Sequence, residues 1–247
     1  MMSLLDALAA SPDAASLKQL ALATELHPST AHRILAAMST ARFVERQDAG
    51  TYRLGIRLLE LGNIVKSRIN VREVALPFMQ ELHEKIGEAI NLGARHDDEI
   101  VYLERTSSGR ALVRVVYLVG GRAPLHLTST GKLFLAVEDA QRVRAYATRT
   151  GLPGHTHNSL TQLTSLEREL SKARQYGYAH DNEELELGVR CMAAGVYDDQ
   201  GKLVAGLSIS APADRLDEGW LSKLQATAQD ISRALGFQGN AAPMEAR

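Results

Sequence analysis

The chain has one cysteine in 247 residues, no apolar run long enough to span a bilayer, and a formal net charge of only -1. A lone thiol excludes an internal disulfide, and the missing run excludes a transmembrane helix. No cleavable leader is recognisable, so a cytoplasmic location is the expectation. Cys191 with His155 and His157 does not make a zinc spacing, and neither a metal nor a cofactor is expected. What is present, 45% hydrophobic and 23% charged residues, is the composition of a globular protein with one large domain or two ordinary ones.

The small net charge hides an uneven distribution. Residues 28–57 hold Arg33, Arg42, Arg46, Arg53 and Arg57 against Glu45 and Asp48, an excess of +3 (five minus two). A local excess of this kind suits a phosphate backbone, although exposed arginines also arise on any solvated face.

The apolar spacing around this window predicts a small helical module. "SLLDALAA" places Leu4, Leu5, Leu8 and Ala9 on one helical face, and "ASLKQLALATEL" opens a second helix at Ser16 with Leu17, Leu20, Ala21 and Leu26 inward. A third starts at Pro28, a residue suited to a first helical turn. A tight turn between the second and third helices gives a helix-turn-helix, whose second member offers its early residues, Ser29, Thr30, His32 and Arg33, to a major groove. "FVERQ" and "TYRLG" around "DAG" then read as a hairpin wing carrying Arg46 and Arg53. The turn between helices often contains glycine, and Glu25 and His27 stand there instead.

An apolar stripe through Leu58, Leu61, Ile64 and Val65 predicts a linker helix, with Pro77 as a break or kink, and places the domain boundary near Arg68–Val74. The expected organisation is residues 1–57 as the winged module, 58–73 as linker helix, 74–238 as a second domain and 239–247 as a loose tail. Within the second domain, "AINLGARH", "EIVYLERT" and "ALVRVVYLV" read as antiparallel strands, and "GVRCMAAGVYD" and "KLVAGLSIS" as two more. Helices are expected from "STGKLFLAVEDAQRVRAYATRT", "TQLTSLERELSKARQYG" and "WLSKLQATAQDISRALGF". The class is α+β.

Alternation along the last hairpin separates a core face, with Leu203, Ala205, Leu207 and Ile209, from a small polar face, with Val204, Gly206, Ser208 and Ser210. Pairing small with small sets Cys191 beside the two serines and leaves room for a guest. "LTSTGK" adds a helix start whose N–H groups near Thr130 and Gly131 suit an anion, so a carboxylate is the expected guest. Asp181 belongs to the same stretch. The competing reading is an ordinary capped helix beside an ordinary strand.

These patterns resemble the IclR family of bacterial transcription regulators. The winged-helix pattern is met by "SLKQLALATELHPSTAHRILAAMSTARFVERQDAGTYRLG", the effector-domain pattern by "PLHLTSTGKLFLA", and the family signature by Gly177, Asp181, Glu184 and Cys191, continuing through "MAAGVYD". The resemblance covers Leu4 to Phe237. It implies a GAF-like carboxyl-terminal domain and a small organic acid or related metabolite as effector. It also implies effector contacts at Thr130, Gly131, Asp181, Cys191, Ser208 and Ser210.

Double-stranded DNA with a pseudo-palindromic operator is the expected partner. The chain would form a homodimer through the amino-terminal module and linker helix, with a dimer of dimers implied by resemblance alone. No membrane partner and no catalytic residue are expected. One rival is a DNA-binding protein whose second domain only oligomerises. Another is an enzyme with Cys191 as nucleophile and His180 or His126 as base. A redox switch at Cys191 is a third. The sequence leaves repression and activation equally open, and names neither operator nor effector.

Overall fold

The computed structural model describes residues 2–11, 13–47, 50–66, 70–106 and 119–239. The chain divides into two compact units, Met1–Ile69 and Asn70–Arg247.

In the first unit, α1 (Met2–Ala9), α2 (Leu17–Ala23) and α3 (Pro28–Thr40) pack on a short sheet of β1 (Ala15–Ser16), β3 (Thr51–Leu54) and β2 (Val44–Arg46), in that order. The core is Leu4, Leu8, Ala15, Leu20, Leu35, Met38, Val44 and Tyr52. Ala9, expected inward, is exposed, because the stripe closes on Leu4 and Leu8. Ser16 caps α2 in a reciprocal box with Gln19, which satisfies two otherwise orphaned groups. The same Ser16 pairs with Thr51, adding a third strand that the hairpin pattern did not foretell.

The turn between α2 and α3 keeps its shape without glycine. Glu25 takes the left-handed conformation itself, at φ 54°, and Leu26 N–H reaches back to Ala21 O at 3.0 Å. His27 accepts the Ser29 N–H through Nδ1 and so caps α3, with Pro28 at its first turn. The unit ends in α4 (Ile56–Lys66).

The expected single linker helix is two: α4, then α5 (Val71–Ile86), which starts at an Asn70 cap and contains Pro77 in its interior. The side chains of Ile64 and Val65, assigned to the apolar stripe, lie outside the described residues, as do residues 240–247 of the expected tail.

In the second unit, β4 (Ala89–His96), β5 (Glu99–Thr106), β6 (Arg122–Pro124), β7 (Tyr178–Asn182), β8 (Val189–Tyr197) and β9 (Leu203–Pro212) form one antiparallel sheet in the order β6-β5-β4-β9-β8-β7. β4 and β5 keep the bounds read from sequence. The strand expected at "ALVRVVYLV" falls almost wholly on residues 111–118, outside the described residues. On one face α5 and α9 (Leu221–Ala234) cover Ile90, Leu92, Met192, Ala194, Leu207 and Ile209. On the other lie α6 (Ser129–Ala136), α7 (Ala140–Thr150) and α8 (Leu163–Tyr176), packed through Leu133, Tyr146, Leu166 and Leu170. Leu203 leaves the core face assigned to it: a bulge at Val196/Tyr197 turns it to the α6 side.

Candidate functional site

On the amino-terminal unit the surface is the start of α3 with the β2–β3 wing. Ser29, His32 and Arg33 are exposed and Thr30 is half-buried. Ser29 Oγ lies 2.8 Å from His27 Nδ1, so the capping histidine also orients this hydroxyl. The five arginines of the basic window are not equivalent. Arg53 donates to Glu45 across the wing at 2.9 Å, and this guanidinium holds the Glu45 carboxyl below its usual range. Arg42 and Arg57 both pair with Glu60 of α4, the latter at 2.7 Å. Glu60 lies three residues beyond the window that gave +3, and the fold brings it back to neutralise part of that excess. Among the described residues Arg33 and Arg46 have no carboxylate partner.

On the carboxyl-terminal unit the polar face of the last hairpin forms as expected. Cys191 pairs with Ser210, Ala193 with Ser208, and Gly195 with Gly206. The row extends on both sides: Asp181 on β7 pairs with Cys191, while β4 sets Asn91 opposite Ser208. Asp181, Cys191, Ser208, Ser210 and Asn91 therefore project from one face across four strands. Cys191 Sγ lies 3.1 Å from Ser210 Oγ, which accepts from Asn91 Nδ2 at 3.0 Å.

Part of the room left by small residues is filled by protein. A Cβ on Gly206 would sit 2.6 Å from Thr130 Cγ2, and one on Gly93 3.3 Å from the same atom. Gly93 and Gly206 pair in register, so they let the first turn of α6 lie directly on the sheet. Thr130 is the side chain that occupies this space. Gly131 is likewise a close-approach residue, since a Cβ there would meet Leu125 O at 2.3 Å. Its N–H goes to Thr128 Oγ1 at 3.0 Å, so the anion site expected at this helix start lacks that donor.

Behind the row lies an ion pair that the sequence reading missed. Lys132 of α6, 1% exposed, donates to Glu184 Oε1 at 2.6 Å and to His180 O at 2.7 Å. Glu184 N–H donates to Asp181 Oδ1 at 2.8 Å, while Thr156 and Ser159 donate to its carbonyl. Burial pushes the Asp181 carboxyl up to about 7 against the pull of Lys132, and raises Glu184 in the same way. Burial also raises the Tyr102 phenol of β5, with Cys191 and Asp181 adding to the shift, so this ring faces the same cluster. Asn91 and Lys132 each left a signal: a polar or charged residue between apolar neighbours in "AINLG" and "GKLFLA".

The bases that a Cys191 nucleophile would need are engaged elsewhere. His126 lies in the buried turn before α6 with Nδ1 2.8 Å from Tyr146 Oη and Nε2 3.0 Å from Pro153 O. The His180 ring packs edge-on against Tyr178, and its Nε2 lies 3.2 Å from Glu218 Oε2. Among the described residues no three His, Cys, Asp or Glu side chains gather as a metal site, and no helix is long and apolar enough to cross a membrane.

Known proteins share both halves of this arrangement. Residues 64–234 match the profile of the bacterial transcriptional regulator IclR C-terminal domain, and residues 1–48 that of the IclR helix-turn-helix domain. The HTH-type transcriptional repressor AllR of Escherichia coli (strain K12) is 32% identical over 243 residues, 96% of this chain and 89% of that protein. The repressor BlcR of Agobacterium tumefaciens superposes with a TM-score of 0.83 at 27% identity, over 96% of each chain. An IclR homologue of Microbacterium hydrocarbonoxydans, solved in complex with 4-hydroxybenzoate, gives 0.63 at 27% identity, over 95% of this chain and 96% of that one. With one profile spanning more than half of its length and the other covering its helix-turn-helix, the chain belongs to the IclR family of bacterial transcriptional regulators.

Proposed function

We propose that this regulator binds duplex DNA as a homodimer at a pseudo-palindromic operator in the cytoplasm, and that a small organic acid held by its second unit controls that binding. α3 enters the major groove with Ser29, Thr30, His32 and Arg33, while Arg46 and Arg53 of the wing hold the backbone. The observation that carries the DNA half is the exposed start of α3, where Arg33 has no carboxylate to leave before it meets a base. A monomer reads one half-site, so twofold symmetry and a palindrome follow. Pairs of dimers join through the effector domains, as the family resemblance implies.

The effector half is supported by the buried polar row, and by the relative that was solved with an aromatic hydroxy acid. Ser208, Ser210 and the remaining N–H groups at the start of α6 suit its carboxylate, and Cys191 is a wall of the site. The protein is not an enzyme on this reading: both nitrogens of His126 are occupied, which leaves Cys191 without that base.

The test is fluorescence anisotropy on a duplex recovered by selection from genomic DNA. Arg33→Ala is expected to weaken binding by about 1–3 kcal/mol for each base that the guanidinium reads. Unchanged affinity in Arg33→Ala, Arg46→Ala and Arg53→Ala alike defeats the assigned surface. Thermal-shift screening against aliphatic and aromatic carboxylates tests the effector half, because a ligand that binds only the folded state raises its stability. Ser208→Val adds bulk beside Asn91 and is expected to remove the response to the best ligand.

A further inference from the structure

Two oxygens in the buried row have no partner. Asp181 Oδ2 and Asn91 Oδ1 face no donor among the described residues, although Asp181 is 1% exposed and Asn91 not at all. The other atoms of both groups are accounted for: Asp181 Oδ1 takes the Glu184 N–H, the Leu185 N–H also draws on this carboxylate, and Asn91 Nδ2 gives to Ser210 Oγ. Both orphans are acceptors on the same sheet face, with Cys191 and Ser210 between them. A third orphan acceptor, Glu184 Oε2, belongs to the carboxylate paired with Lys132. Orphaned buried acceptors are costly, and several on one face mark a place where a donor belongs.

Above pH 7, where Asp181 has released the proton that its burial favours, a bare carboxylate cannot supply that donor. It brings only acceptors and negative charge to a row that already holds Asp181 and Glu184, so it meets repulsion and leaves both orphans unmet. A hydroxyl or amide N–H on the same molecule satisfies an orphan and separates the two carboxylates.

We infer that Asp181 and Asn91 make this site selective for small acids that carry a hydroxyl or amide donor besides the carboxylate; the inference rests on the effector-site reading above. Asn91 is thereby a specificity-determining residue of the site, through an oxygen that has no partner among the described residues.

The experiment takes the full-length chain and three pairs of acids that differ by one hydroxyl: acetate and glycolate, propionate and lactate, benzoate and 4-hydroxybenzoate. The melting midpoint is followed against concentration at pH 8, where Asp181 is ionised. In any pair that stabilises the protein, the hydroxylated member is expected to give the same rise at roughly tenfold lower concentration. Asp181→Asn keeps the acceptor for Glu184 N–H and turns an amino group toward the ligand, so the preference is expected to shrink to within about twofold. Asn91→Ala is expected to shrink it as well, and it carries the test if Asp181→Asn does not melt cooperatively. Equal response to both members of every active pair in the unaltered chain overturns the inference, and so does a preference that survives both substitutions. A chain that none of the six acids stabilises overturns the effector-site reading itself, and the inference with it.

Discussion

The ion pairs beside the two candidate sites have opposite settings. On the wing, Arg53 and Glu45 meet with roughly half of each side chain in water, and Arg42 and Arg57 share Glu60 under similar exposure. In the second unit Lys132 and Glu184 meet with 1% and 5% exposed. Water and salt screen the wing pairs, so they contribute little to stability and can be exchanged for phosphate. The buried pair has no such substitute: its charges have lost their hydration, and each depends on the other and on the backbone groups aimed at it. On the proposed reading DNA binding draws on charges that are held loosely, whereas the buried polar row backs onto a pair of charges that cannot let go.

The sharpest way to break that contrast is to remove one buried charge. Lys132→Met preserves length and apolar packing, but takes the cation from Glu184, which among the described residues keeps only the Asn182 N–H, and the donor from the His180 carbonyl. Removing one member of a buried pair costs about 3–5 kcal/mol, so the second unit should melt many degrees lower by calorimetry. The double change Lys132→Met with Glu184→Leu should recover part of that stability, since no unpaired charge remains. A single substitution within a degree of the unaltered chain would show that the pair contributes no more than the wing pairs do.

A second effect follows from Asp181. Its carboxyl, pushed up to about 7 by burial, holds a proton that the unfolded chain releases near its ordinary pKa of about 4. The folded state binds more protons between these values, so this group's stabilising contribution is present at low pH and lost as pH rises toward 7. His126 and His180, both lowered by burial, act in the opposite sense: the unfolded chain takes up their protons first as pH falls, and stability is lost below the usual histidine range. Asp181→Asn removes only the first contribution. Urea melts between pH 5 and pH 8 should show the unaltered chain losing stability toward alkaline pH relative to the variant, by on the order of 2–4 kcal/mol over the range, while the histidine contributions are common to both. Parallel curves would mean that Asp181 titrates normally.

What the sequence disclosed divides along the same line. Local periodicity placed β4 and β5 at their bounds, and the register of β8 and β9 followed from matching small residues with small ones across the hairpin. A period-2 pattern is silent about bulges, so Leu203 was set on the wrong face. It was also silent about β7, a five-residue edge strand of mixed polarity. At the site, Cys191, Ser208 and Ser210 were legible because adjacent strands of one hairpin determine them. Lys132 and Glu184 meet across 52 positions, and Asn91 reaches Ser210 across 119, pairings that no local window contains. Thr130 was assigned to the site from the helix start alone. That it fills the space above Gly93 and Gly206 depends on where α6 lands on the sheet. The wing shows the same limit, since its +3 was a sum over a window that stops before Glu60.

The smallest effect expected is a difference between the two wing arginines. Arg46 has no carboxylate partner among the described residues, so a phosphate contact there adds to whatever the free chain already has. Arg53 must share or leave Glu45 to make the same contact, which offsets part of its gain. Arg46→Ala should therefore lower affinity for every duplex and reduce the slope of log affinity against log salt by about one. Arg53→Ala should do the same to a lesser degree. Glu45→Gln should act in reverse: it frees Arg53 and raises affinity for all sequences at low salt, with little change at high salt where the pair is already screened. Anisotropy titrations at several salt concentrations distinguish the three. Equal decreases in the two arginine variants, with no increase in Glu45→Gln, would show that the wing pair does not compete with DNA, and that exposed pairs here are held as firmly as the buried one.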